Sequence, residues 1–146
     1  MDTFFKDLKV IELASVLAGP AVGMFFAELG AEVIKIENKL TQGDITRSWK
    51  LPSENPKDKT SAYYQSVNWN KKTFLLNLLD KKDQQQVYEL IKTADIVITN
   101  YKKGEDLKLG VDYKTIKKIN PKIIYAHLSG YGENSTRTAD DLILQA

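Results

Sequence analysis

Three short groups of residues in this chain combine side chains that could bind an anionic ligand. Each group directly follows an apolar run, and the groups are Asn38-Lys39, Asn100-Tyr101 and Ser129-Gly130. Asparagine both donates and accepts hydrogen bonds, tyrosine offers a flat face for stacking, and lysines such as Lys102 and Lys108 attract phosphate. Taken singly, such residues more often pack or face solvent. Together they favour a site for a phosphorylated ligand.

A small-residue turn over residues 14–20 offers a second binding feature. It follows the first apolar run and leads into a helix, so backbone N–H groups at Val16, Leu17 and Ala18 could approach a ligand closely. The three-glycine pattern of dinucleotide-binding domains is absent, although Glu37 occupies the place of a ribose-binding acid. A nicotinamide cofactor is therefore the weaker alternative.

Catalytic side chains are scarce. His127 is the single histidine and lies within a predicted strand, which favours a packed, neutral ring. Without cysteine or a second histidine, neither a catalytic triad nor a zinc site is predicted. Asp140 and Asp141 are adjacent, so on a helix their carboxyl groups would point in different directions rather than converge. Acids are also common at a helix N-terminus, which offers a structural explanation for the pair. The residues alone identify no catalytic group and no metal site.

The elements that must position these residues alternate along the chain. Strands are predicted at residues 9–13, 32–36, 73–78, 95–99 and 122–128, and helices at residues 21–29, 61–68, 80–93, 102–108 and 112–119. Residues 38–60 are predicted to form a long irregular connection. The alternation predicts an α/β fold, a mostly parallel sheet with helices on both faces, whose strands end at one ligand-binding edge.

Composition fits one ordinary globular domain. The 146 residues are 42% hydrophobic and 27% charged, with a net charge of +2, which argues against nucleic acid as a partner. The absence of cysteine, of a signal-peptide pattern and of a long apolar run predicts a cytoplasmic protein without a membrane partner. Residues 140–146 form an apolar run without a closing glycine or proline, which we interpret as an interrupted chain.

Two longer segments and several shorter blocks carry a family resemblance. Residues 8–20 (LKVIELASVLAGP) and 29–37 (LGAEVIKIE) closely resemble the opening of the class III coenzyme A transferases, the CaiB/BaiF family. Further blocks follow in the same order: GD at 43–44, NWNKK at 68–72, ADIVITNY at 94–101, LG at 109–110, NPKIIY at 120–125 and SGYG at 129–132.

The resemblance implies a Rossmann-like large domain that binds CoA, a separate small domain, and an interlocked homodimer. Members of the family move CoA from an acyl-CoA to a free carboxylate. An aspartate attacks the thioester, and an aspartyl-CoA thioester forms through anhydride steps, which is covalent catalysis by a carboxylate. CoA or acyl-CoA is then a substrate, and no permanently bound cofactor is expected.

The candidate site combines residues at or next to positions where the family contacts CoA with residues of the predicted ligand edge. The first set is Val16, Leu17, Ala18, Asn38, Lys39, Leu76, Asn100, Tyr101 and Lys108, and the ligand edge adds Ser129 and Gly130. Leu17 stands where oxalate-type members have glutamine, which speaks against oxalate as a substrate. Asn38 occupies the place of an arginine that often meets the adenosine end, with Lys39 next to it as a substitute, and Lys108 replaces another arginine. Lysine would keep the charge without the bidentate fork.

The resemblance assigns no catalytic residue to this chain. Asp141 matches the aspartate of a Gly-Tyr-Asp block, whereas the family's nucleophilic aspartate lies further along and is expected beyond Ala146. We therefore expect residues 1–146 to be an N-terminal CoA-binding part without the small domain, inactive alone. Asp140 replaces the catalytic histidine of the racemase branch, which disfavours an acyl-CoA racemase. A stand-alone nucleotide-binding or regulatory module and an NAD-dependent oxidoreductase remain alternatives.

Overall fold

Strands and helices alternate in the computed structural model, which describes residues 4–132, 134, 135 and 137. The elements are β1 (Lys9–Leu13), α1 (Ala18–Glu28), β2 (Glu32–Asn38), α2 (Ala62–Asn68), β3 (Lys72–Leu76), α3 (Lys81–Lys92), β4 (Ile96–Thr99), α4 (Glu105–Leu109), α5 (Tyr113–Ile119) and β5 (Ile124–His127). Every predicted strand and helix is present, with ends shifted by a few residues. The alternation inferred from apolar runs is therefore confirmed.

The five strands form one parallel sheet in the order β3-β2-β1-β4-β5. The chain builds outward from β1 through β2 to β3, then returns to the other side of β1 with β4 and β5. Strand order therefore reverses between β1 and β4. In open parallel sheets, a crevice forms at such a reversal, outside the carboxyl ends of the strands.

Helices cover both faces of the sheet, as predicted. On one face Ile11 and Val97 pack with Ile91 of α3, all three fully buried. On the other face Val10 packs near Ala27 of α1. Adjacent residues of β1 thus serve opposite cores, as the period of two in a strand requires. These two cores explain why the strands are apolar on both sides at their amino ends.

Two helix starts illustrate how local sequence determines the elements. Asp80 caps α3 by accepting hydrogen bonds from the N–H groups of Lys82 and Asp83, as predicted. Helix α1 starts at Ala18, three residues before the predicted start. Proline is well tolerated in a first turn because no intrahelical acceptor is available there for an N–H, so Pro20 belongs to the helix.

The long segment between β2 and α2 is folded onto the sheet edge. It contains two short 3₁₀-helices, Lys39–Thr41 and Ile45–Ser48. Ser61 attaches its far end, donating its hydroxyl to the Thr46 carbonyl at 2.6 Å and accepting from the Tyr64 N–H. The ammonium group of Lys50 donates to backbone carbonyls of residues 55, 56 and 58, which shapes the outer loop.

The last predicted features of the chain lie outside the described residues. They are the apolar run at 140–146, its acids Asp140 and Asp141, and the final residue Ala146, beyond which the nucleophilic aspartate is expected. Among the residues that the structure does describe, no helix combines the length and the hydrophobicity needed to cross a bilayer.

Candidate functional site

A cleft of about 720 Å³ lies at the carboxyl edge of the sheet, where the strand order reverses. Its walls come from the ends of three strands and from the long segment after β2. The lining includes Ala14, Ser15, Glu37, Asn38, Gly43, Asp44, Arg47, Lys50, Lys59, Asn100, Tyr101 and Lys102. The predicted ligand edge of the sheet thus carries an open cleft whose volume is in the range of small-molecule sites.

Asn100 bridges the loops after β1 and β4 across this cleft. Its Oδ1 accepts from the Ser15 N–H at 3.0 Å, and its Nδ2 donates to the Ser15 carbonyl at 2.8 Å. The side chain is a two-way hydrogen bonder, but its partner in the structure is backbone. Asn100 therefore fixes the loop after β1 at the point where it enters the cleft.

Val16 follows with a left-handed backbone, at φ 68°. A β-branched residue rarely adopts this conformation because its branched side chain crowds the backbone. The Val16 N–H donates to the carboxylate of Asp44, at 3.2 Å from Oδ2 and 3.5 Å from Oδ1. Asp44 also accepts from the N–H and hydroxyl of Thr46 at 3.0 and 2.8 Å. The long segment and the loop after β1 meet at this buried carboxylate.

Beneath the loop lies a cluster of four charged side chains, which we call the buried ion cluster: Glu12, Lys35, Asp44 and Lys71. The ammonium group of Lys35 contacts Glu12 Oε1 at 2.8 Å, Asp44 Oδ2 at 3.2 Å and the Ala14 carbonyl at 2.7 Å. Lys35 and Glu12 are fully buried. The ammonium group of Lys35 thus donates two hydrogen bonds, to Glu12 and to the Ala14 carbonyl, and forms an ion pair with Asp44.

Lys71 completes the cluster from the turn before β3. Its ammonium group donates to Glu12 Oε2 at 2.7 Å, to the Pro20 carbonyl at 2.7 Å and to Asn68 Oδ1 at 3.2 Å. Burial lowers the pKa of Lys71, and the Glu12 carboxylate opposes that effect. Two ammonium groups and two carboxylates balance, so the cluster is neutral and its charges are mutually satisfied.

The buried ion cluster is absent from the predicted site, although the sequence contains a signal for it. Glu12 interrupts the apolar run of β1, Lys35 interrupts that of β2, and the two are direct neighbours in the parallel register. Opposite charges at matching positions of adjacent predicted strands indicate a buried pair. The prediction assigned no role to these two charges within the strands.

Glu37 is turned into the protein and held by three donors. Arg47 binds it in a bidentate manner at 2.7 and 3.0 Å, and the Tyr64 hydroxyl donates to it at 2.6 Å. The N–H of Asp44 adds a bond at 2.9 Å. Burial alone would raise the pKa of Glu37, but these hydrogen bonds outweigh it and hold the pKa below its ordinary value. Both oxygens of the carboxylate accept hydrogen bonds from the protein, which speaks against a ribose-binding role for Glu37 and against the NAD alternative.

Other predicted site residues lie at or beside the cleft. Tyr101 is half-buried, packs against the core below α3 and still lines the cleft, and burial raises the pKa of its hydroxyl. Asn38 lines the cleft while its side chain accepts from the Leu40 N–H. Lys39 is the next residue and is exposed. Leu17 and Ala18 follow Val16 at the start of α1.

Of the eleven predicted site residues, only Asn38, Asn100 and Tyr101 line this cleft. Val16, Leu17, Ala18 and Lys39 follow lining residues in the chain, and the other four lie elsewhere. Leu76 is buried in the core at the end of β3. Lys108 is exposed on α4, and Ser129 and Gly130 are exposed after β5. His127 is half-buried in β5 and shares a hydrogen bond of 2.8 Å between its Nδ1 and the Thr99 hydroxyl, so its predicted packed position is confirmed.

The charged residues that line the cleft are of both signs. Glu37 and Asp44 pair with Arg47 and Lys35. The exposed lysines Lys59 and Lys102 line the cleft together with two exposed acids, Asp58 and Glu105. Lys59 is a candidate that the sequence reasoning missed, because it lies in the irregular segment and far along the chain from the strand ends. The long segment brings it to the sheet edge.

The geometry agrees with the comparison to known families. The model of the family described as CoA-transferase family III matches residues 5–146. The chain belongs to this family. The resemblance identified from the sequence blocks is thereby confirmed, and so is the α/β class of the fold.

Curated relatives support the same assignment. The chain is 40% identical over 131 residues to a succinate–glutarate CoA-transferase of Agrobacterium fabrum, covering 88% of the chain and 32% of that protein. It is 43% identical over 131 residues to a cinnamoyl-CoA:phenyllactate CoA-transferase of Clostridium sporogenes, covering 88% of the chain and 31% of that protein. The chain therefore spans about a third of the length of these relatives.

A solved structure extends the likeness to three dimensions. A CAIB/BAIF family protein from Brucella suis superposes with a TM-score of 0.91 at 36% identity, over 99% of this chain and 39% of that one. At this identity and coverage, the sheet order and the helices described above are those of the family.

Proposed function

We propose that residues 1–146 form the N-terminal CoA-binding part of the large domain of an acyl-CoA:carboxylate CoA-transferase. The observation that carries the proposal is the family membership of residues 5–146. The relatives' names describe transfer between CoA thioesters and carboxylic acids. The cleft at the reversal of strand order supports it, because several predicted contact residues and exposed ammonium groups meet there.

The proposed ligand lies across the carboxyl edge of the sheet. Its thioester end faces the loop at Val16 and Leu17, where backbone N–H groups at the start of α1 could hold a developing oxyanion. Its phosphates face the exposed ammonium groups of Lys59 and Lys102, which line the cleft; Lys39, exposed next to Asn38, is a further proposed contact. Tyr101 lines the same cavity. The remaining predicted contacts, at Leu76, Lys108, Ser129 and Gly130, stay predictions.

In the proposed reaction, an aspartate carboxylate attacks the acyl-CoA carbonyl, the C–S bond breaks, and an aspartyl anhydride and CoA thiolate result. The thiolate then attacks the aspartyl carbonyl, which releases the acyl group as a carboxylate and leaves aspartyl-CoA. The acceptor carboxylate reverses these steps. We assign this aspartate to none of the residues in the chain, whose proposed role is to hold CoA, and its expected place beyond Ala146 stays a prediction.

The proposal includes an interlocked homodimer, a cytoplasmic location and a small carboxylic acid as acceptor. Leucine at position 17, in place of the glutamine of oxalate-type members, favours an acceptor other than oxalate. An apolar side chain cannot donate the hydrogen bonds that a dicarboxylate of that size would need.

Calorimetry with free CoA tests the proposal on the chain itself. We expect measurable but weak binding, and a loss of about tenfold or more in Asn100→Ala, because this change releases the loop at Ser15. The matched control is Asn120→Ala, since Asn120 also binds two backbone carbonyls, those of Ile91 and Ala94, away from the cleft.

A second pair of variants tests the charge. Lys102→Ala should weaken CoA binding, whereas Lys118→Ala, an exposed lysine on α5, should not. Equal binding of CoA, ADP and NAD would contradict the proposal and favour a general nucleotide-binding module. Unchanged CoA affinity in both Asn100→Ala and Lys102→Ala would remove this cleft from the site.

A further inference from the structure

The loop after β1 is held by polar and charged side chains from other segments of the chain. Ala14, Ser15 and Val16 are bound in turn by Lys35, by Asn100 and by Asp44. Two of these three partners belong to the buried ion cluster. The loop therefore takes its shape from groups contributed by other segments of the fold.

Val16 is the residue at which this restraint matters most. At φ 68° its backbone is in a conformation that valine disfavours, so it needs an external contact to stay there. The Asp44 carboxylate supplies that contact by accepting the Val16 N–H at 3.2 Å. Leu17 and Ala18 follow Val16 directly, at the start of α1.

Asp44 is itself held by three contacts from two residues. Lys35 pairs with its Oδ2 at 3.2 Å, and Thr46 donates two hydrogen bonds to its Oδ1. Its side chain is 1% exposed. A carboxylate with both oxygens occupied cannot rotate without losing a charge-assisted bond.

We propose that Asp44 is a positioning residue, which holds Val16 in its left-handed conformation and thereby sets the shape of the CoA-binding loop. The identity of the ligand rests on the proposed function. The positioning of Val16 rests on the contacts alone. The two parts can therefore fail separately.

Amide hydrogen exchange followed by NMR tests the positioning without any ligand. In Asp44→Asn, an amide group replaces one carboxylate oxygen and cannot accept both the Val16 N–H and the Thr46 donors. The Val16 amide should exchange at least about tenfold faster than in wild type, while amides of β4 and α3 keep their protection. A Val16 amide protected as in wild type would overturn the proposal.

Asp112→Asn is the matched control. Asp112 is also a buried cap that accepts two backbone N–H groups and the hydroxyl of a threonine, Thr115, but it starts α5. Its loss should leave Val16 exchange unchanged. Faster Val16 exchange in both variants would indicate general loosening and overturn a specific role for Asp44.

Thr46→Val covers the case in which Asp44→Asn does not fold. It keeps the Asp44 charge and removes only the hydroxyl that donates at 2.8 Å. A smaller but measurable acceleration at Val16 is expected, and no change there would overturn the proposal.

CoA titration completes the test. Asp44→Asn should bind free CoA about tenfold more weakly or worse. This loss should shrink in a Val16→Gly background, because glycine adopts φ 68° without help. Asp44→Asn with faster Val16 exchange but wild-type CoA affinity would overturn the link between loop shape and ligand. Absence of CoA binding by the wild-type chain would instead overturn the proposed function and leave the exchange result to decide the positioning.

Discussion

Replacing Lys35 by methionine should destabilise the chain far more than an ordinary lost salt bridge. Methionine matches the length of the lysine stem but provides no donor. After the change, one ammonium group, that of Lys71, remains for the two carboxylates of the cluster. It contacts Glu12 but not Asp44. The cluster then carries a net negative charge in a buried site.

The size of the loss follows from the contacts. Lys35 makes two ion pairs and one bond to a carbonyl, all fully buried. Removing one partner of a buried ion pair costs about 3–5 kcal/mol, since the remaining charge is uncompensated. Lys35 serves two carboxylates, so we expect the upper part of this range.

Lys72→Met is the matched control. Lys72 lies in the neighbouring part of the sheet and also pairs with a glutamate, Glu32, at 2.6 Å. Its side chain is 67% exposed and that of Glu32 is 42% exposed. A solvent-exposed pair of this kind contributes about 0–1 kcal/mol. The two variants therefore differ mainly in burial.

Urea unfolding followed by far-ultraviolet circular dichroism measures both losses. A Lys35→Met chain that is unfolded without urea, beside a Lys72→Met chain with a near wild-type midpoint, agrees with the expectation. Glu12→Gln combined with Lys35→Met restores a neutral cluster and should recover part of the loss. If Lys35→Met and Lys72→Met lower the free energy of unfolding by amounts that agree within about 1 kcal/mol, the claim that the buried ion cluster depends on Lys35 is refuted.

Two further predictions concern the long segment. The pKa of Glu37 is lower in the folded chain than in the unfolded one, so its stabilising contribution is present above about pH 4.3 and is lost as the pH falls through the folded pKa. Glu37→Gln should therefore reduce the fall of the unfolding free energy at acid pH. An unchanged fall at acid pH would contradict this. Gly43→Ala should cost about 2–4 kcal/mol, because at φ 112° the new Cβ meets the Glu37 carboxylate and Arg47. Gly104→Ala, at φ 83° with open space around it, should cost only about 1 kcal/mol in the same urea titration, and equal losses would show that the contacts of Gly43 are irrelevant.

The fold was predictable because its signals are local. Apolar runs define the strands, Asp80 defines the start of α3, and alternation with helices requires a parallel sheet. The arrangement of residues 39–60 was not predictable in this way. It depends on Glu37 and Arg47 meeting across ten positions and on Asp44 reaching Val16, contacts that no local pattern specifies.

The candidate site was predictable in part for the same reason. Asn100 and Tyr101 follow a strand, so their place at the ligand edge follows from topology. Glu37 lies near the end of a strand and lines the cleft as well, yet its carboxylate is bound by Arg47 from a later turn. Position at a strand end predicts proximity to the cleft, but a charged partner elsewhere in the chain decides whether the side chain is free to bind a ligand.

The charges in β1 and β2 are arranged with a period of two, and this spacing explains how the cleft acquires a polar floor. Val10 and Val33 are apolar at the amino end of the face covered by α1. Further along the same face of each strand come Glu12, Lys35 and Glu37, all buried. An all-apolar face would be at least as stable, because buried ion pairs barely offset their desolvation.

An apolar floor could not, however, bind the backbone of the loop above it. Lys35 holds the Ala14 carbonyl and Asp44 holds the Val16 N–H, and only side chains with directed donors and acceptors can fix two peptide groups of opposite polarity. The charged residues at this end of the face therefore add little stability of their own but fix the backbone conformation of the loop. On this reasoning, neutral substitutions that keep the fold, such as Glu12→Gln with Lys35→Met, should loosen the loop after β1 even where they recover stability.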